Sequence, residues 1–196
     1  MTVFQNVRRG LIPARLTVAE VYALTDQGVL GEDDAFELIE GEIVPMAAAK
    51  ASPHEMMKSR LNRWLVRAAP DELGVFIESS LRVSNNSLLE PDIALWPSDV
   101  GCREVTSEQV ALIIEVAASS IAFDLREKAR LYAAGGVREY WVVDANRYTI
   151  RVHRSPLDGV YVDVEEYESH DLVATLILGV AVRLDDLGLP PLLIRS

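Results

Sequence analysis

Cysteine and histidine are scarce in this 196-residue chain, which has one cysteine, Cys102, and three histidines. A single cysteine excludes an internal disulfide, and no set of Cys and His residues has zinc-site spacing. No stretch approaches the ~20 apolar residues that a membrane-spanning helix needs, and the N-terminus has no apolar segment typical of a signal peptide. We therefore expect a cytoplasmic protein with no membrane segment.

Basic residues are also outnumbered, because 19 Lys and Arg face 30 Asp and Glu and give a net charge of -11. An acidic surface repels a phosphate backbone, so any contact with nucleic acid must be local. With 49% hydrophobic and 25% charged residues, the composition is that of an ordinary globular protein. The length fits one domain over residues 1–196, and no repeat or linker indicates a second.

The apolar spacing predicts an α/β fold with a mixed sheet. The predicted elements are a helix over 17–30 capped by Thr17, a hairpin in FELIEGEIVPM, a helix over 52–69, strands over 74–84 and 91–97, a buried strand over 111–117, a helix over 124–134, a buried strand from Glu139, and antiparallel hairpins from Thr149. The chain thus has an N-terminal helix and β-hairpin and a C-terminal antiparallel hairpin region.

Glu115 is the most informative residue, because it interrupts the apolar run ALIIEVA. Burying an unpaired carboxylate costs several kcal/mol, so a positive partner should lie beside it. Asp92 begins the other apolar strand, in EPDIALW. If the two strands are neighbours, both carboxylates meet at one end of the sheet. Two carboxylates and a backbone carbonyl make a hard oxygen site that suits Mg²⁺ or Mn²⁺.

Lys128 is the third candidate, on the helix that follows the Glu115 strand. Its ammonium can orient an attacking water or hold phosphoryl oxygens. Asp124 lies one turn earlier and can fix the position of the lysine. The alternative is that Asp124 and Lys128 form an ordinary ion pair on the helix surface. Asp92 can equally be a simple cap at a strand end.

Further candidates surround this set. His54 can reach the site from the start of its helix, although a lone histidine is more often structural. Strand alternation places Glu40 and Glu42 on one face of the hairpin, so that either can supply a metal contact, although such residues are usually solvated. Three arginines, Arg60, Arg63 and Arg67, form the one concentrated basic helix face and are candidates for phosphate binding or a solvated surface.

The ordered combination of FELIEGEIVPM, Pro53-His54, EPDIALW, LIIEVAASS and DLREKARLYAAGGVREYWVVDA resembles the Uma-type putative restriction endonuclease family of the PD-(D/E)XK nuclease superfamily. The resemblance covers approximately residues 36–154. It implies a restriction-endonuclease-like core of mixed β-sheet flanked by helices. It also implies that Asp92 and Glu115 are metal ligands, together with the backbone carbonyl of Val116.

Two departures from the family pattern lie just after Glu115. The superfamily lysine usually follows the second acid by two residues, where this chain has Ala117. The chain is similar to branches in which the lysine has moved to the next helix, and this gives the role to Lys128. Family members tend to carry Ser-Pro-Ser in the following connection, whereas this chain has Ala118-Ser119-Ser120, so the shape of that connection is open.

Two functions follow as hypotheses. The first is a Mg²⁺- or Mn²⁺-dependent endonuclease that hydrolyses phosphodiester bonds of nucleic acid, with double-stranded DNA as the expected partner. A homodimer is expected with it, because cutting both strands of a duplex needs two centres. The second is a catalytically silent nucleic-acid-binding or protein-interaction module on the same fold, which the acidic net charge favours.

Overall fold

The first helix, α1, spans Val18–Asp26 in the computed structural model, which describes residues 9–10, 15–31, 34–46 and 52–191. Thr17 caps it as predicted, because its hydroxyl accepts a hydrogen bond from the Glu20 N–H while the Glu20 carboxylate accepts one from the Thr17 N–H at 2.7 Å. The helix ends earlier than predicted. Gly28 has a φ of +70°, the left-handed conformation typical of a residue just beyond a helix.

The predicted N-terminal hairpin is confirmed as β1, Phe36–Ile39, and β2, Glu42–Pro45. Glu40 and Gly41 form its turn with φ values of 49° and 88°. The chain before α1 crosses this turn closely, since the Leu16 N–H donates to the Gly41 carbonyl at 2.8 Å. A Cβ atom at Gly41 would lie 3.2 Å from the Leu16 carbonyl oxygen, so the position favours glycine for space and for φ.

The segment 74–84, predicted as one strand, is instead divided between two sheets. Strand β3, Leu73–Ile77, belongs to a six-stranded sheet, and β4, Leu81–Ser84, belongs to a four-stranded one. Glu78 lies between them with a φ of 47°, a left-handed conformation that ends the extended backbone. The four-stranded sheet has the order β2-β1-β5-β4 and is antiparallel, with β5 at Ser87–Leu89.

The other strands of the six-stranded sheet are β6, Ile93–Pro97; β7, Leu112–Ala117; β8, Glu139–Asp144; β9, Thr149–Leu157; and β10, Val160–Tyr167. The sheet has the order β10-β9-β8-β7-β6-β3. Strands β7 and β8 are parallel, and the other neighbours are antiparallel. The predicted mixed sheet is therefore confirmed, with the predicted buried strands at its centre.

Helices cover both faces of this sheet. On one face, α2, Ser52–Ala68, packs Met57, Leu61 and Leu65 into a core that includes Ile114. The other face holds α3, which runs as an α-helix over Ile121–Phe123, a π-helical turn over Asp124–Lys128 and an α-helix over Ala129–Ala134. Tyr132 of α3 packs with Ile113. Since neighbouring residues of β7 point to opposite faces, Glu115 points with Ile113 toward α3.

The C-terminal part is mainly extended. Strands β9 and β10 form the predicted hairpin, and a smaller antiparallel pair follows, with β11 at Val173–Ala174 and β12 at Ala181–Val182. A short 3-10 helix, Leu184–Leu187, packs its Leu184 against the α2 side of the sheet. Within the described residues, the helices are all too short or too polar to cross a bilayer.

Candidate active site

The two acids singled out by the sequence meet in one cavity of about 350 Å³. Strands β6 and β7 are antiparallel neighbours, with Ile93 opposite Ile114. Asp92 precedes Ile93, and Glu115 follows Ile114. Because the strands are antiparallel, the two acids lie next to each other at the same end of the strand pair. Both carboxylates are buried, with residue exposures of 6% and 3%.

Glu115 receives two hydrogen bonds through the same carboxylate oxygen. The Lys128 ammonium and the Tyr132 hydroxyl each donate to Oε1 at 2.9 Å. Among the described residues, Oε2 accepts no hydrogen bond. Burial raises the pKa of Glu115 to about 8, and the Lys128 ammonium opposes that rise. Burial also raises the pKa of Tyr132 well above its ordinary value, so its hydroxyl stays a donor.

Lys128 bridges the two sheets. Its Nζ lies 2.9 Å from Oε1 of Glu115 and 3.0 Å from Oε1 of Glu37, which projects from β1. The same Glu37 oxygen accepts a hydrogen bond from the Glu90 N–H at 3.0 Å. Burial opposes the charge of Lys128, but the surrounding carboxylates outweigh this effect and raise its pKa above the ordinary value. The ammonium is therefore held charged between acids.

Asp124 is buried in the same cavity rather than placed on the helix surface. It belongs to the π-helical turn of α3, a feature common at functional sites. Its Oδ2 accepts a hydrogen bond from the Ser120 hydroxyl at 2.5 Å, and burial raises the pKa of its carboxyl group. Because Lys128 is also buried and pairs with Glu115, the alternative of an ordinary surface ion pair between Asp124 and Lys128 is wrong.

Asp92 is held by a backbone group of the neighbouring strand β7 and by a side chain of α2. Its Oδ2 accepts a hydrogen bond from the Val116 N–H at 2.8 Å and lies 3.0 Å from Nε2 of His54. Nδ1 of His54 lies 3.0 Å from the Glu55 carboxylate, so an imidazolium can donate to both acids. His54 reaches the cavity from the first turn of α2, as predicted. Asp92 therefore contacts the neighbouring strand, and both of its predicted roles, metal ligand and strand-end cap, stay predictions.

The donor set can be compared with the needs of a divalent cation. In the described part of the chain, no group of three or more His, Cys, Asp or Glu side chains is arranged to hold a metal alone. Mg²⁺ commonly takes one or two carboxylates and keeps several waters, so a full protein cage is not required. Asp92, Glu115 and Val116 all line the cavity, and Oε2 of Glu115 is open. Their oxygen chemistry fits Mg²⁺ or Mn²⁺.

The other predicted contacts lie elsewhere. Glu42 does not line the cavity, and its exposed carboxylate pairs with Arg15 at 2.7 Å. The structure therefore does not bring Glu42 to the site. The arginines of α2, Arg60, Arg63 and Arg67, also lie outside the cavity. Arg63 and Arg67 are exposed, and Arg60 is half-buried, so their role in binding nucleic acid stays a prediction.

Sequence reasoning missed two contributors, Glu37 and Tyr132. Glu37 alternates with buried Leu38 in β1, and only the pairing of the two sheets shows that it faces Lys128. Tyr132 follows Lys128 by four residues, a spacing that places both side chains on one side of a helix. That spacing was the available signal for Tyr132. Glu37 had no comparable local signal.

Comparison with known proteins shows the family and the fold of this chain. The model of the Uma2 family, described as "Putative restriction endonuclease", matches residues 18–185. A crystal structure of a putative nuclease belonging to DUF820 from Anabaena variabilis ATCC 29413 is similar, with a TM-score of 0.63 and 18% sequence identity. The match covers 84% of this chain and 96% of the other, and at this identity it shows the fold. No curated protein matches the chain. From the extent of the family match, the chain belongs to the Uma2 family of restriction endonuclease-like proteins.

Proposed function

We propose that this protein is a Mg²⁺- or Mn²⁺-dependent endonuclease that hydrolyses phosphodiester bonds in nucleic acid. The observation that carries the proposal is the meeting of Asp92, Glu115 and Lys128 in one cavity, where Lys128 is 2.9 Å from Glu115. Membership of a family of restriction endonuclease-like proteins supports the same reaction class, and such proteins generally use divalent metals. Asp92, Glu115 and the carbonyl of Val116 would hold the metal.

Each residue has a defined task in this proposal. A bound divalent cation would lower the pKa of a water and offset negative charge on the phosphate. Lys128 supplies an ammonium group that can donate to a phosphoryl oxygen or to the attacking water. Tyr132 holds Glu115, and His54 holds Asp92. In the reaction the water oxygen bonds to phosphorus, the P–O ester bond breaks, and the leaving oxygen takes up a proton.

Duplex DNA is the proposed substrate, and a homodimer is the proposed active form, since two strands require two centres. The net charge of -11 makes general attraction to DNA unfavourable. Binding must then depend on local basic surfaces. We assign this role to the α2 arginines, because their spacing of three and four residues places them on one side of the helix.

Cleavage of plasmid DNA and single-stranded RNA in Mg²⁺ or Mn²⁺ tests the proposal. We expect Glu115→Gln and Lys128→Met each to lower the cleavage rate by about 10²–10³-fold, the effect of removing one group that stabilises a transition state. Glu72→Gln is the matched control, since Glu72 is exposed and outside the cavity. Equal rates for Glu115→Gln, Lys128→Met and wild type would refute the assignment. A folded wild type that binds but never cuts nucleic acid would favour the silent binding module.

Metal binding can be measured without cleavage. We expect millimolar Mn²⁺ to raise the melting temperature of the wild type, because a ligand that binds only the folded state stabilises it. The rise should disappear in Asp92→Asn and persist in Asp71→Asn, an exposed aspartate. No rise in the wild type, or an equal rise in Asp92→Asn, would show that these carboxylates do not hold the metal.

A further inference from the structure

A second cavity, of about 320 Å³, lies between α3 and the hairpin formed by β9 and β10. The two cavities use different residues of α3. Asp124 and Lys128 line the catalytic cavity, whereas Leu125, Arg126 and Ala129 line the second. The volume falls in the range of ordinary small-molecule sites.

The lining of this second cavity is basic. It includes Arg126, Arg130 and Arg151 together with His153, and no acidic side chain of the described residues is part of it. In a protein with a net charge of -11, such a concentration of positive charge is unexpected. Arginines that serve only to neutralise the protein's own acidic residues need not line a cavity. Guanidinium groups on the wall of a cavity are suited to an anion that enters from outside.

The arginines differ in how firmly they are already paired. Arg130 donates to the carboxylates of Glu40 at 3.0 Å and Glu127 at 3.4 Å, and Arg151 pairs with Glu166. Arg126 is exposed and has no ion pair or hydrogen bond from its side chain to another described residue. At least one guanidinium group, that of Arg126, is thus available to a ligand, whereas the charges of Arg130 and Arg151 are offset by their glutamate partners.

His153 supplies a second, independent observation. It is 95% buried, and its Nδ1 atom has no hydrogen-bond partner among the described residues. The ring is held between Tyr140 and Tyr161, with centroid distances of 5.3 and 5.6 Å. Buried polar atoms are usually satisfied, so an unpartnered one in a residue that lines a cavity indicates a missing ligand or water. A phosphate oxygen can accept from a ring N–H, and a protonated phosphate can donate to a bare ring nitrogen.

We infer that this cavity binds a phosphate group, through Arg126, Arg151 and His153. The ligand is either a free phosphate compound or a backbone phosphate of nucleic acid. Binding needs neither a metal nor hydrolysis, so it stands apart from the proposed nuclease reaction.

Calorimetric titration of the metal-free protein with inorganic phosphate, in EDTA and at constant ionic strength, tests the site. We expect Arg126→Gln to weaken binding roughly three- to tenfold, the effect of losing one charged hydrogen bond. Arg138→Gln is the control, because Arg138 is an exposed arginine outside both cavities and its loss changes the net charge equally. His153→Phe keeps an aromatic ring between the tyrosines and should also weaken binding.

Fluorescence anisotropy with labelled single-stranded and duplex oligonucleotides in the same buffer separates the two sources of phosphate. A loss of oligonucleotide affinity in Arg126→Gln, but not in Arg138→Gln, would place a nucleic-acid backbone phosphate in the cavity. A loss for inorganic phosphate alone would identify a free phosphate compound. The inference is overturned if the wild type binds no phosphate, or if Arg126→Gln and Arg138→Gln weaken binding equally. Neither of these two negative results would contradict the proposed nuclease activity, which depends on the other cavity.

Discussion

Two buried glutamates on neighbouring parallel strands have different surroundings. Glu139, on β8, is completely buried and accepts hydrogen bonds through both oxygens. Oε1 accepts from the Trp141 indole at 3.0 Å and from two nitrogens of Arg154 at 2.9 and 2.7 Å. Oε2 accepts from the Leu176 N–H at 2.7 Å. This carboxylate joins β8 to β9 and to the C-terminal segment, and both of its oxygens are occupied within the fold.

Glu115, on β7, uses only Oε1 within the described structure. It lies on the opposite face of the sheet from Glu139 and lines an open cavity. Burial alone therefore does not identify a functional acid. What distinguishes Glu115 is an unused oxygen at a cavity wall, combined with a charged lysine that is shared with a second acid, Glu37.

The largest expected difference between the two glutamates is in stability. Glu139→Gln removes the charge opposite Arg154 and turns an amide donor or a weaker acceptor toward Leu176. Breaking a buried ion pair on one side costs about 3 kcal/mol or more. In Glu115→Gln, Lys128 keeps Glu37 as a partner and the repulsion among the cavity acids falls, so the change should stay within about 1 kcal/mol. Urea denaturation of metal-free protein measures both values.

Equal destabilisation by the two substitutions would remove the distinction between a structural and a functional glutamate. The cleavage rate should respond in the opposite way to the two substitutions. Folded Glu139→Gln protein should still cut nucleic acid at a rate close to that of the wild type. A cleavage loss as large as in Glu115→Gln, measured well below the melting temperature, would contradict it.

Local sequence pattern alone singled out Glu115 and not Glu139. Glu115 interrupts the apolar run of β7, whereas Glu139 stands at the start of β8, where a charged residue is ordinarily solvated. The partner of Glu139, Arg154, comes from β9 and depends on register, which local patterns do not specify. Glu115 and Asp92 could be predicted because an isolated acid in an apolar strand is unusual.

Other parts of the fold show the same limit. Helix α2 and the first hairpin follow from periodicity and from Gly41, both of which are local signals. The division of 74–84 into β3 and β4 depends on the conformation of Glu78 and on which sheet each half can join. The approach of Glu37 to Lys128 likewise depends on how the two sheets pack. Contacts between distant elements were therefore the part that the sequence did not reveal.

Tyr132 sharpens the comparison, because its hydroxyl donates to Glu115, the glutamate that we propose as a metal ligand. Tyr132→Phe removes the hydrogen bond to Oε1 of Glu115, and we expect kcat to fall about 10- to 100-fold, as for groups that orient metal ligands. Stability should fall by only about 1 kcal/mol. Tyr140→Phe is the matched control, since the Tyr140 hydroxyl donates to the backbone carbonyl of Asp124. Equal losses of kcat in both variants would mean that Tyr132 acts through packing alone.

His153 extends the comparison to a buried base with an unpartnered nitrogen. Burial lowers its pKa in the folded protein, so the unfolded chain binds the proton more readily. The stability associated with neutral His153 is fully present above the unfolded pKa of about 6.5 and is lost as the pH falls through it, with a limiting slope of about 1.4 kcal/mol per pH unit.

In phosphate-free buffer, the stability of the wild type relative to His153→Phe should therefore fall between pH 7.5 and 5.5. Urea denaturation at both pH values measures this, and His170→Phe, at an exposed histidine, is the control. Parallel pH dependence in wild type and His153→Phe would show that His153 bears no such penalty, and that its unpartnered nitrogen is accessible to water in the folded state.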